Sequence, residues 1–185
     1  MFVAPAATCL EDVVRTIRPG QLDAPTPCAK YDVRGLVNHL LFWGPSLEGA
    51  ARKETVPPPG PPETDLGLTT SDLLAQIDRT AKAWSEPAAW EGVTHMGGPA
   101  ELPAALVGGM IVTELVVHGW DLAKATGRNL TPGDDLLDYL LDEVGKTAEQ
   151  GRAGGVYGPP VAVPATAPKF DRVLAMTGRN PGWTA

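Results

Sequence analysis

Glu114 and His118 stand one helical turn apart in LVGGMIVTELVVHGWDL, residues 106–122, a run that is otherwise almost purely apolar. On a 3.6-residue period Val107, Ile111, Glu114, His118 and Leu122 share one stripe, which predicts a carboxylate and an imidazole on the core-facing side of a helix. Taking an unpaired carboxylate out of water costs several kcal/mol unless it is paired, protonated or bound to a cation. A divalent metal is the simplest compensator. His39, in DVRGLVNHLLFW, lies at the edge of the apolar face made by Val33, Leu36, Val37, Leu40, Leu41 and Leu47, in line with Leu36 and Trp43. Two facing helices would bring it opposite the Glu114/His118 pair. Two imidazoles and one carboxylate suit zinc, with nickel and iron(II) as alternatives, and leave positions open for water or substrate. Spacing alone also allows a plainer arrangement, a hydrogen-bonded Glu114/His118 pair and a satisfied core histidine at 39.

Other polar residues are weighed around that candidate centre. Asp121, one turn beyond His118, could orient a ligand or take a proton, or could be a packing carboxylate beside Trp120. Arg34 and Asn38 lie on the His39 segment, where Arg34 could meet a substrate carboxylate or simply join a surface ion pair. Asp121 and Arg34 are therefore the two candidate catalytic residues. His95, in a glycine-rich stretch, is read as a surface or pocket-lining histidine. Trp43, Trp84, Trp90 and Trp120 read as core or pocket wall. Cys9 and Cys28 have no basic neighbour in sequence and read as free thiols rather than a bridge or a nucleophile.

These residues must be positioned by helices. A first helix is expected over Ala6–Ile17, ending at Pro19-Gly20, and a second over Val33–Lys53 with Asp32 as its N-cap. PPPGPP at 57–62 can only be a surface loop. A third helix is expected over Ser71–Ser85, with Thr69 and Asp72 forming a capping box. WEGVTHMGGP at 90–99 supports at most a strand fragment. The fourth helix, Pro103–Thr126, carries Glu114 and His118 and stops at Gly127. Thr131-Pro132 should open a fifth, ending near Gln150, with Leu136, Leu137, Leu140, Leu141 and Val144 toward the core. A Gly/Pro/Ala-rich connection precedes a short helix, Pro168–Thr177, closed by Gly178. Four long helices with modest connections predict an all-α fold, an antiparallel bundle whose interior is a normal place for a metal.

The 185 residues suffice for one domain, 1–185, that buries roughly 70% of its unfolded surface. A net charge of −7 argues against nucleic acid, which needs clustered Lys and Arg. The N-terminus has neither a basic leader nor an apolar core of secretory type, and the apolar stretch 102–117 is short for a bilayer, so neither export nor a membrane is expected. A cytoplasmic location follows.

Two segments also carry a resemblance. TPCAKYDVRGLVNHL and ELVVHGWDLAKATGR are similar to a "TPC, aromatic, Asp-Val-Arg, Leu-Val-x-His" segment and a "Glu-x-x-x-His-x-Trp-Asp-Leu-Ala-x-Ala-Thr-Gly" segment, and DRVLAMTGRNPGW looks like the same family's tail. The family is the metal-binding branch of the DinB-like (YfiT-type) superfamily, related to the N-terminal domain of mycothiol-dependent maleylpyruvate isomerase. The resemblance implies an up-down-down-up four-helix bundle with short additional helices and a C-terminal extension. It implies one divalent metal on His39, Glu114 and His118, and a low-molecular-weight thiol of the mycothiol type as cosubstrate. It carries over no substrate, since the isomerase proper has an additional C-terminal domain and this sequence is expected to end after the bundle. The expected activity is S-transfer or isomerisation of a small electrophile, with a homodimer allowed. A metal-dependent hydrolase using bound water and a non-catalytic metal- or ligand-binding stress protein are the alternatives.

Overall fold

The computed structural model describes residues 2–62 and 64–184, and its regular structure there consists of six α-helices, one small hairpin and two short 3-10 turns. The helices are α1 (Val3–Val14), α2 (Val33–Ala51), α3 (Thr70–Ala83), α4 (Ala104–Ala125), α5 (Asp134–Ala153) and α6 (Lys169–Met176). The hairpin pairs β1 (Val93–His95) with β2 (Glu101–Pro103), antiparallel, Thr94 opposite Leu102. The fold is all-α as the sequence predicts, with a strand fragment where one was allowed.

The bundle is built from α1 to α4. α1 packs along α4 and against α3, while α2 packs against α3 and α4. The expectation that the four longest helices form the core therefore needs correction: α5 lies outside, against α4, and carries α6 on its other contacts. The reason is the width of the apolar stripes. α1 buries Val3, Ala6, Ala7, Leu10, Val13 and Val14, a broad face at i, i+3, i+4 spacing, although it is short. α5 buries only Leu136, Leu140, Val144 and Ala148, a single row four residues apart, which is enough to lean on one neighbour. Gly119 of α4 makes room for the Leu130 side chain, since a Cβ there would stand 2.8 Å from its Cδ1.

α4 packs against α1, α2 and α5, which is why it reads as apolar all round. By length and composition it could cross a membrane, yet 78% of its apolar window is buried inside the protein. Helix ends follow local chemistry. The Asp32 carboxylate accepts from the Gly35 amide at 2.7 Å to start α2. Thr69 and Asp72 form the capping box of α3, and Gly127, with φ of 71°, terminates α4 in the left-handed region. α5 departs from expectation at its start, because Gly133 rather than Thr131 is its N-cap and Pro132 stays outside. Asp134 and Asp135 then occupy the first turn, where the helix dipole favours them.

Candidate metal centre

α2 and α4 bring His39, Glu114 and His118 to one point. His39 Nε2 lies 2.9 Å from Glu114 Oε1 and His118 Nε2 lies 3.4 Å from the same oxygen. The three donor atoms are all within 4.8 Å of one another. Two ligands about 2.05 Å from a tetrahedral zinc stand about 3.3 Å apart, so the donor spacing and donor types fit a zinc-like ion. Sequence periodicity places Glu114 in a buried stripe, but the structure leaves 25% of its side chain and 15% of that of His39 open. The triad therefore has a closed side and an accessible one.

The closed side fixes the imidazoles. His118 Nδ1 is 2.9 Å from Asp121 Oδ2, so the Nδ1–H donates to the carboxylate and Nε2 faces Glu114. Asp121, fully buried, is held in turn by Arg179, whose NH2 and Nε donate to its two oxygens at 3.0 and 3.4 Å. A third guanidinium bond goes to the Thr177 carbonyl at 3.0 Å. Burial would lower the Arg179 pKa, but Asp121 beside it raises it instead. On the other flank the Tyr31 hydroxyl lies 3.2 Å from His39 Nδ1 and Glu114 Oε1 lies 2.9 Å from its Nε2, so the ring is oriented with Nε2 toward the centre. Burial pushes the Glu114 carboxyl up, but the His118 charge, the hydrogen bond and charge of His39, and Arg179 behind them outweigh it and bring the pKa to about 2. The centre thus presents a carboxylate and two oriented nitrogens.

Of the two candidate catalytic residues, the structure brings Asp121 to the centre, behind His118 and bonded to Arg179. Arg34 stands elsewhere. Its NH2 donates to Asp23 at 2.9 Å, and with Asn38 it lines a separate cavity beside Arg18, Leu68 and Thr69. Asn38 clasps a loop, donating to the Thr64 carbonyl and accepting from the Leu66 amide. His95 sits in the hairpin opposite Glu101 and is absent from the candidate metal groups found among the described residues. Cys9 borders a shallow hollow with Asp12 and Arg128.

Cys28 requires a correction. The sequence gives it no basic neighbour, yet folding sets its sulfur within 4.8 Å of donor atoms of His118 and Asp121, and the Arg179 charge acts on it. Burial still pushes the thiol up, with Arg179 only partly opposing, so it stays protonated. A cation on Cys28, His118 and Asp121 would face the Arg179 guanidinium already bonded to Asp121, which makes that group the poorer metal site.

Sequence reasoning singled out neither Tyr31 nor Arg179 as partners of the centre. Tyr31 is the aromatic of the TPC segment, and Arg179 follows Gly178 in the tail, so both lay within stretches noted only for their resemblance.

A family model described as the mycothiol maleylpyruvate isomerase N-terminal domain matches residues 3–123, a span that holds His39, Glu114 and His118. An uncharacterized protein of Mycobacterium tuberculosis, present in two strains, is 27% identical over 172 residues, covering 91% of this chain and 90% of that protein. The crystal structures of the mycothiol-dependent maleylpyruvate isomerase and of a histidine-to-alanine mutant of it superpose with TM-scores of 0.60 and 0.59. Identity is 15% and 16%, and the matches cover 99% of this chain and 79% of each of those chains. At that identity the likeness is one of fold.

Proposed function

The chain belongs to the mycothiol maleylpyruvate isomerase N-terminal domain family, and from that premise we propose that residues 1–185 act as one unit, a metal-dependent transferase or isomerase that uses a low-molecular-weight thiol against a small electrophile. The observation that carries the reading is the convergence of His39 Nε2 and His118 Nε2 on Glu114 Oε1, at 2.9 and 3.4 Å. His39, Glu114 and His118 would hold the ion, zinc being the natural choice for this donor set. When bound, such an ion supplies Lewis acidity that lowers the pKa of an incoming thiol toward neutrality.

The protein's own residues do the rest. Asp121 and Tyr31 hold the imidazoles in the orientation that presents Nε2. Arg179 balances the Asp121 charge, so that carboxylate does not compete for the cation. Glu114 stays ionised through the neutral range. The accessible side of the triad admits the thiol and its electrophile. Both carboxylates of the cluster are committed, Glu114 to the centre and Asp121 to His118 and Arg179, so neither is free as a base for water. That favours thiol chemistry over hydrolysis. The reading places the protein in the cytoplasm, where low-molecular-weight thiols are kept reduced.

The test is metal analysis of the purified protein, followed by consumption of a panel of electrophiles with and without thiol and chelator. Thiol-dependent turnover that chelator abolishes and metal restores is the expected outcome, and it should persist in a Cys9→Ser/Cys28→Ser protein. Ester or amide cleavage without thiol would replace the reading with a hydrolase. Metal binding with no turnover of any kind would leave a binding protein.

A further inference from the structure

Asn38, beside the candidate ligand His39 in sequence, lines a cavity of about 370 Å³ that shares no residue with the triad. Three segments wall it: the connection after α1, the first turns of α2, and the stretch 65–70 that leads into α3. Each is fixed by its own hydrogen bonds. Pro19 starts a 3-10 turn whose Gln21 side chain accepts from the Arg18 amide at 3.0 Å and donates to the Thr126 carbonyl at 3.1 Å, which pins the connection to the end of α4. The Arg34 amide donates to the Leu22 carbonyl at 2.8 Å and joins the same connection to α2. Asn38 clasps Thr64 and Leu66, and the Gly67 amide, at a φ of 62°, donates to the Asp65 carboxylate at 2.9 Å. The cavity is therefore built into the fold, as small-molecule sites commonly are.

Its walls are aliphatic: Ile17, Pro19, Leu22, Val37 and Leu68 border it, and no aromatic ring does. Leu68 keeps 48% of its surface exposed, one of three large apolar side chains left open to water among the described residues. An aliphatic body in the cavity would take that surface out of water, which is favourable. Charge at the rim is uneven. Arg34 is answered by Asp23 at 2.9 Å, and Asp65 by the Gly67 amide. Arg18 also borders the cavity, but no ion pair with a described residue answers its guanidinium. Its side chain is exposed, and a cavity of this size lies within the length of its arm. One uncompensated cation suits one negative charge, because the second charge of a dianion would stand against Asp23 and Asp65.

We propose that this cavity is a second ligand site, which takes a small aliphatic monocarboxylate with its chain against Leu22, Val37 and Leu68 and its carboxylate on Arg18. The planar guanidinium meets a carboxylate through two parallel N–H···O bonds, a geometry that a neutral hydroxyl does not reproduce. The site stands apart from the metal centre and does not depend on how that centre is read.

The experiment titrates isotope-labelled protein with sodium hexanoate and, separately, with hexan-1-ol, following backbone amide signals by heteronuclear NMR. Saturable shifts at Leu22, Gly67 and Leu68, with the alcohol needing about tenfold higher concentration than the acid, are the expected result. Arg18→Gln, at an exposed position, should raise half-saturation by hexanoate about tenfold and leave that by hexan-1-ol unchanged, whereas Leu68→Ser should weaken both. Acid and alcohol binding equally well, or Arg18→Gln binding hexanoate as the wild type does, overturns the proposal. So does an absence of saturable shifts at the cavity, or shifts confined to Tyr31, His118 and Gly119 that place hexanoate at the triad. Inorganic phosphate displacing hexanoate at equal concentration would overturn it too, because the site would then read charge alone.

Discussion

α2 takes part in two carboxylate clusters, and they meet the same electrostatic problem in opposite ways. Near its C-terminal end Glu48 is surrounded by permanent donors: Arg52 NH1 and Gln76 Nε2, both at 3.0 Å, and Arg79 Nε at 3.1 Å. Nearer its N-terminal end His39 meets Glu114, whose other close partner is His118. Arginine is cationic at every working pH, so the Glu48 cluster is complete without a further ligand. Imidazole gives up its proton to bind a cation and arginine does not, so the Glu114 cluster, whose close partners are His39 and His118, can exchange protons for a metal ion. The comparison teaches that an ion-pair network and a metal centre differ less in geometry than in whether the cations come with the fold.

The largest effect should come from removing the carboxylate of the second cluster. Glu114→Gln is expected to abolish stoichiometric metal binding in equilibrium dialysis, whereas Glu48→Gln should bind the full complement. Equal metal content in both variants would erase the distinction. Next come the supports behind the imidazole. Asp121→Asn and Arg179→Met should each weaken metal affinity by about 10–100-fold, measured by chelator competition, because they free His118 to turn.

Acid should separate the two clusters as well. Protonation of the imidazoles competes with the ion, so metal release is expected on acidification, monitored with a zinc indicator. The carboxylates respond lower. The Glu114 carboxyl, depressed to about 2 in the metal-free fold, contributes stability that is fully present above the unfolded carboxyl range of about 4.3 and is lost as pH falls toward about 2. Glu48 is also lowered, its hydrogen bonds from Gln76, Arg52 and Arg79 outweighing burial, so its contribution too is lost only in acid. Thermal melts of metal-free wild type and Glu114→Gln should therefore converge as pH approaches 2. The smallest effect should be that of Glu48→Gln on stability at neutral pH, about 1–3 kcal/mol by urea unfolding, for one charge-assisted network partly lost.

The fold was legible where it depends on short-range chemistry. Asp32, the Thr69/Asp72 box and Gly127 mark helix ends through bonds to residues a few positions away, and the i,i+4 spacing of Glu114 and His118 places them on one face of α4. Choice of neighbours was less legible. That α1 rather than α5 completes the bundle depends on the breadth of a buried face against α4, and the start of α5 at Gly133 depends on where the chain leaves α4. At the centre the sequence points to His39, Glu114, His118 and Asp121 by type and spacing. Arg179 is 58 residues from Asp121, and no periodicity links them. Arg34 shows the converse, a plausible charge on the right helix that turns toward Asp23 instead.

The most direct test of the central claim is X-ray absorption spectroscopy of the zinc-loaded protein at the zinc edge. The account predicts one zinc per chain with two imidazole nitrogens, carboxylate oxygen and no protein sulfur, unchanged in Cys28→Ser and lost in His39→Ala. A sulfur ligand that disappears in Cys28→Ser would instead place the ion on Cys28, His118 and Asp121, and would contradict the account.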